Sequence, residues 1–160
     1  MQATVIVPVT EDDIPLLAHA LQQLAADLGD DYRADQTALA AAVCGLLASC
    51  LALLAMRGAT PLGAVLAAPV FSTLRGGTGL FVSDLWVAPD ARGTGLARRL
   101  LAATLREGAR RDAARFLKLS VYDDTPRARA AYDRLGFVAQ AAETNMILTG
   151  TALAALKETR

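Results

Sequence analysis

The chain has 160 residues with 16 basic and 16 acidic side chains, a size that suits one domain with one core. Its zero net charge argues against a general nucleic-acid binder. The hydrophobic fraction is 54%, but 34 residues are alanine, so much of it is small side chains. Cys44 and Cys50 form no CxxC and are the only thiols, which excludes a disulfide framework and a cysteine-rich zinc centre. His19 is the single histidine, so a catalytic metal centre lacks ligands and no metal is expected.

Thr4–Val9 reads as a short strand, and Thr10-Glu11-Asp12-Asp13 as a helix start. The start MQATVIVPVTEDD has neither the basic nor the long apolar region of a signal peptide, so a cytoplasmic protein is expected. Leu16, Leu17, Ala20, Leu21, Leu24 and Leu28 recur at helical spacing, with Gly29 as the stop. Ala38–Met56 lacks any charge and approaches the length of a membrane span. Gly45, Ser49 and Cys50 divide it, so a helix over 36–47 and a strand over Leu51–Met56 are expected, with no membrane partner.

Leu62–Val70 and Leu80–Val87 read as strands on either side of the glycine-rich turn Arg75–Gly79. After them, APDARGTGLARRLLAATLREGARRD combines a glycine loop with an amphipathic helix. Leu96, Leu100, Leu101 and Leu105 form its apolar stripe, and Arg98, Arg99, Arg106 and Arg110 lie away from it. Phe116–Val121 reads as a strand, and Thr125-Pro126 opens a helix to about Leu135 that Gly136 ends. Phe137–Ala142 and Asn145–Leu148 give two final strands, and 151–160 a helical turn or frayed tail. The pattern predicts an α/β fold with a mixed sheet, antiparallel at its end and flanked by helices.

Arg92-Gly93-Thr94-Gly95-Leu96-Ala97 carries the first chemical signal. Two glycines let the backbone approach a ligand closely, and the helix behind them offers unpaired N–H groups and a positive dipole end. That design suits a pyrophosphate, without the spacing of a Walker A loop or a dinucleotide fingerprint. Asp84 is the second candidate. A carboxylate among Phe81, Val82, Leu85 and Trp86 is either exposed, ion-paired or in contact with substrate. Strict alternation puts Val82, Asp84 and Trp86 on one face and Ser83 on the other, unless a bulge intervenes. Residues 1–35 also hold seven acidic side chains against Arg33, a surface suited to an ammonium group or simply to water.

With Arg92, Gly95 and Ala97 in their places, the chain resembles the GCN5-related N-acetyltransferase (GNAT) superfamily. Ala128, Tyr132, Gly136 and Phe137 match its second motif, with Thr125 where the family has asparagine. The resemblance implies a single-domain GNAT fold over residues 1–150, with 151–160 as a tail. It places Arg92, Gly93, Thr94, Gly95, Leu96 and Ala97 on the pyrophosphate of acetyl-CoA. Trp86, Val87 and Ala88 would line the pantetheine arm, and Thr125 and Ala128 would belong to the coenzyme side.

The same likeness makes Tyr132 the general-acid candidate for the departing thiolate and Asp84 the base or substrate anchor. A backbone amide near Trp86 or Val87 would polarise the carbonyl. Ser72-Thr73 and Asp84 are also similar to the spermidine/spermine and thialysine acetyltransferase subgroup, with Ser83 where that subgroup has glutamate. The implied activity is acetyl transfer to a primary amine of a small molecule. The alternatives are a non-catalytic acyl-CoA sensor and a protein or peptide N-acetyltransferase. A homodimer, pairing through the last strands, is compatible with the family.

Overall fold

In the computed structural model, which describes residues 3–110, 114–140 and 142–158, the chain divides into two compact units, residues 1–122 and 123–160. The first unit opens with β1 (Val5–Pro8). A capping arrangement follows at once: the Thr10 amide and hydroxyl both donate to the Asp13 carboxylate, at 3.0 and 2.7 Å. These bonds hold the Asp13 carboxyl below its ordinary pKa. A 3₁₀ turn over Glu11–Asp13 then leads into α1 (Ile14–Leu28), which Gly29 ends in the left-handed conformation at φ 74°.

α2 (Gln36–Cys44) starts where the Asp35 carboxylate accepts the Ala38 amide at 2.7 Å. The charge-free stretch therefore breaks after Cys44, three residues earlier than the sequence predicts, and resumes as β2 (Leu51–Arg57). No helix among the described residues is long and apolar enough to cross a membrane.

β2, β3 (Thr60–Ser72) and β4 (Gly77–Val87) form an antiparallel meander that β1 joins along β2. β5 (Leu117–Leu119) adds to β4 in parallel, giving the order β1-β2-β3-β4-β5. The sheet is mixed, as expected, but its antiparallel part comes first rather than last. Leu51–Ala55 are buried at five successive positions, which requires cover on both faces. α3 (Leu96–Ala109) packs on β2, β3 and β4, and α1 packs on β3 and β4.

α3 lies close to the sheet because two contact points lack side chains. A Cβ at Gly63 would come within 2.8 Å of Leu100, and one at Gly108 within 2.6 Å of Leu80. Leu100 is fully buried, as is Thr104, whose hydroxyl donates to the Leu100 carbonyl at 2.9 Å. The helix that carries the glycine loop is thereby fixed against the strand that carries Asp84.

The second unit holds α4 (Pro126–Arg134) and α5 (Gly150–Glu158). Residues 137–140 and 142–149 form no strand, which corrects the two final strands expected there; Ala141 lies outside the described residues. Val138, Met146 and Ile147 are exposed. Their β-propensity finds no ladder to join among the described residues. The tail becomes α5, a longer helix than the sequence predicts, with residues 159 and 160 outside the described range.

Candidate active site

The glycine loop takes the shape its sequence predicts. Gly93 and Gly95 have φ of 78° and 82°, a region that a side chain rarely enters. A Cβ at either would meet nothing within 4 Å, so backbone conformation, not crowding, requires glycine here. The Thr94 hydroxyl donates to the Ala91 carbonyl at 2.7 Å and staples the loop. Gly95 is the N-cap of α3 and supplies no side-chain cap, so the first amides of a 14-residue helix open onto the loop. These amides, with the dipole behind them, fit a phosphate group.

Arg92 is engaged on the protein itself. Its Nε donates to the Val87 carbonyl at 2.9 Å, and its Nη2 pairs with the Asp27 carboxylate of α1. One side chain thus joins the loop to the end of β4 and to α1. The sequence offers no signal for this partnership, since Asp27 lies 65 positions away.

The bulge that alternation left open is present in β4. Ala67 pairs with Val82 and Leu66 with Asp84, so Ser83 is the extra residue. The bulge reverses which residues face which helix. Gly63 points at α3, and by register so do Val65 and Ala67 with their partners Leu85 and Val82. Asp84 and Trp86, paired with Leu66 and Ala64, lie on the opposite face. Val82 is therefore separated from Asp84 and Trp86, which corrects strict alternation. Ser83 is brought to Asp84 instead, its hydroxyl donating to Oδ2 at 2.7 Å.

β4 also loses its neighbour at this point. β5 pairs with Leu80–Val82 only, which leaves the edge from Ser83 to Val87 unpaired by any described strand. The Ala88 amide donates to the Leu62 carbonyl of β3, while the Val87 carbonyl turns outward to Arg92. Alternation of the ladder then directs the Val87 amide to the open edge and the Trp86 peptide toward β3. Of the two amides the sequence nominates for a carbonyl, Val87 has the accessible direction.

Tyr32, between α1 and α2, follows the acidic pair Asp30-Asp31 and is not among the site residues the sequence nominates. Burial first, then the charges of Asp84 and Asp35, push its phenol above its ordinary pKa. Its hydroxyl is buried without a hydrogen-bond partner, and so is the Trp86 indole Nε1. The loop is further tied by the Tyr122 hydroxyl, which donates to Asp30 at 2.9 Å. Asp31 pairs with Arg33 at 3.0 Å. A tyrosine directly after a pair of aspartates carries no motif by which the sequence could single it out.

Other candidates fall outside this corner. Ser72 sits at the far tip of the β3–β4 hairpin, where its hydroxyl accepts the Arg75 amide at 3.3 Å. His19 is exposed on α1, and Cys44 and Cys50 are free and half-buried. Among the described residues, no group of three or more His, Cys, Asp or Glu could hold a metal ion.

In the second unit, Thr125 occupies the N-cap of α4 but makes no side-chain capping bond; its carbonyl accepts the Arg129 amide instead. Thr125, Ala128 and Tyr132 share one face of α4 by their spacing. Tyr132 packs edge-on against Phe137, with ring centroids 5.5 Å apart. Burial raises the pKa of its phenol, which keeps it protonated near neutral pH.

A mixed sheet that opens beside a bulged strand, with an uncapped helix behind a left-handed glycine loop, makes an α/β fold whose loop fits a phosphate group. The family model for the acetyltransferase (GNAT) family matches residues 17–137, and the chain belongs to that family. Membership assigns the general chemistry of acetyl-CoA-dependent acetyl transfer.

Solved structures share the fold. An integron cassette protein from the mobile metagenome of V. cholerae is 18% identical with a TM-score of 0.77, covering 99% of this chain and 100% of that one. An aminoglycoside N-acetyltransferase in complex with CoA is 16% identical with a TM-score of 0.76, covering 94% and 97%. A ribosomal-protein-alanine N-acetyltransferase from Brucella melitensis biovar Abortus 2308 is 20% identical with a TM-score of 0.72, covering 91% and 100%. No curated protein matches the chain.

Proposed function

We propose that the protein transfers the acetyl group of acetyl-CoA to a primary amine of a small molecule. The observation that carries this reading is the Ser83 bulge. It sets a hydrogen-bonded Ser83–Asp84 pair beside an open strand edge, on the strand that leads into the glycine loop. Support for a cationic acceptor comes from Asp30, Asp31, Asp35 and Asp84, set against Arg33 in the same region.

Arg92 to Ala97 cradle the pyrophosphate, Gly93 to Ala97 through their amides, and Trp86, Val87 and Ala88 run beside the pantetheine arm. Thr125 and Ala128 complete the coenzyme side. Asp84 anchors the ammonium and takes its proton, directly or through water. The freed amine nitrogen attacks the carbonyl carbon, which the Val87 amide polarises. A C–N bond forms, the C–S bond breaks, Tyr132 gives its proton to the thiolate, and the second proton of the attacking nitrogen leaves through water and restores the phenol. The products are an N-acetyl amine and free coenzyme A.

The test is thiol release from acetyl-CoA across polyamines, amino acids, amino sugars and short peptides, paired with calorimetric binding of CoA. Turnover of a small amine supports the reading. Tight CoA binding with no turnover of any amine would favour the sensor alternative, and turnover of peptides alone would favour a protein acetyltransferase. Tyr132→Phe is expected to lower kcat by about 100-fold while leaving CoA affinity near wild type. An unchanged kcat removes Tyr132 as the acid.

A further inference from the structure

β3 runs on past its neighbour. β2 begins at Leu51, opposite Ala67, so residues 68–72 of β3 pair with β4 alone among the described strands. The ladder shows which backbone groups this leaves free. On β4, the Thr78 carbonyl accepts the Arg115 amide and the Leu80 amide donates to the Phe116 carbonyl, both away from β3. Phe71 and Pro69 are their partners in register, so they turn their own backbone groups to the opposite, open side. The open edge thus offers the Pro69 carbonyl and the Phe71 amide. Exposed edges are ordinarily guarded by charge, yet residues 68–72 carry none. Arg75, in the turn that follows, is held over the Phe116 ring on the β5 side of the hairpin, 5.3 Å from its centroid.

The surroundings of this edge are apolar. Val70, Phe71 and Leu74 are 36%, 69% and 97% exposed. Leu46 and Leu47 lie equally open on the loop that enters β2 at Leu51, at the inner end of the same edge. Together these side chains expose on the order of 700 Å² per copy, close to the ~800 Å² per partner of a standard interface. Pro69 and Phe71 continue the α3 face of β3 beyond Ala67. Beside Pro69 on that face is an apolar hollow, lined also by Leu51, Leu80 and Gly108.

We propose that residues 68–72 pair antiparallel with the same residues of a second copy of the chain, about a twofold axis through Val70. The axis sets Val70 opposite Val70, and Phe71 opposite the second copy's Pro69. Each Phe71 amide then donates to the other copy's Pro69 carbonyl, so the pairing needs no N–H from proline. Each Phe71 ring covers the hollow beside the other copy's Pro69. Ala68 meets Ser72, which uses the overhang in full, and the turn that carries Leu74 runs toward the other copy's Leu46 and Leu47.

Sedimentation equilibrium of the full chain is expected to show a dimer at about 50 μM. Val70→Lys places two ammonium groups opposite each other and should raise the dimer dissociation constant at least ~10-fold, with circular dichroism checking the fold. A second measurement reads the register. In a Cys44→Ser/Cys50→Ser background, Val70→Cys should link two copies on mild oxidation, because this kind of pair sets the Cα atoms about 4.5 Å apart. Ser72→Cys should not, since its two copies lie roughly 13 Å apart along the strands. A monomer at about 50 μM overturns the proposal. So does a dimer that survives Val70→Lys in a folded variant, or linkage through Ser72→Cys as ready as through Val70→Cys. If Val70→Lys fails to fold, the two cysteine variants decide.

Discussion

The glycine loop and the Asp84 corner are built on opposite principles. The loop is local: two left-handed glycines, a Thr94 staple three residues back, and a helix that begins without a side-chain cap. The corner is assembled from distance. A strand register with one extra residue turns Ser83 toward Asp84, and a loop some fifty residues earlier supplies Tyr32. The difference shows why a loop that fits a phosphate can be read from a short motif while a cluster of side chains cannot. A phosphate needs only backbone amides, which any sequence provides once its φ angles are right. An acceptor needs particular side chains, and tertiary packing decides which ones meet.

That contrast can be broken at either side. The largest effect is expected from Asp84→Asn, which should lower kcat/KM for the amine about 100-fold or more with CoA affinity unchanged. Steady-state kinetics with parallel calorimetry read both quantities, and a loss of CoA affinity would mean that the two regions are not separable. Gly95→Val should do the reverse. A β-branched residue at φ 82° costs roughly 1–3 kcal/mol of strain, so CoA affinity should fall about ten- to a hundredfold. Circular dichroism would check that the variant folds, and unchanged affinity in a folded variant would remove the loop as the cradle.

The smallest effect falls on the link between the regions. Asp27 is more than a third exposed where it meets Arg92, so Asp27→Asn should cost less than about 1 kcal/mol in urea denaturation. A cost well above that would make the Arg92 clamp a structural element rather than a positional one.

The course of the fold was legible wherever a single segment carries its own signal. The Thr10–Asp13 start, the Gly29 stop, the stripe of α3 and the Gly93 and Gly95 turns all depend on residues within one helical turn of each other. The two final strands were misread because an apolar, β-prone run becomes a strand only beside another strand, and sequence does not supply the neighbour. Alternation along β4 failed for a related reason. One unpaired residue reverses every face that follows it, and only pairing with β3 shows where that residue is.

By itself, then, the sequence determined the glycine loop, the helix that carries it and Asp84 as a charge in an apolar strand. Those features rest on backbone conformation and local periodicity, which neighbouring residues dictate. Only the tertiary structure decided that Arg92 grips Asp27, that Ser83 bonds Asp84, and that the Tyr32 hydroxyl and the Trp86 indole are buried without partners. Such contacts join residues far apart in the chain, and only strand register and helix packing bring them within hydrogen-bonding range.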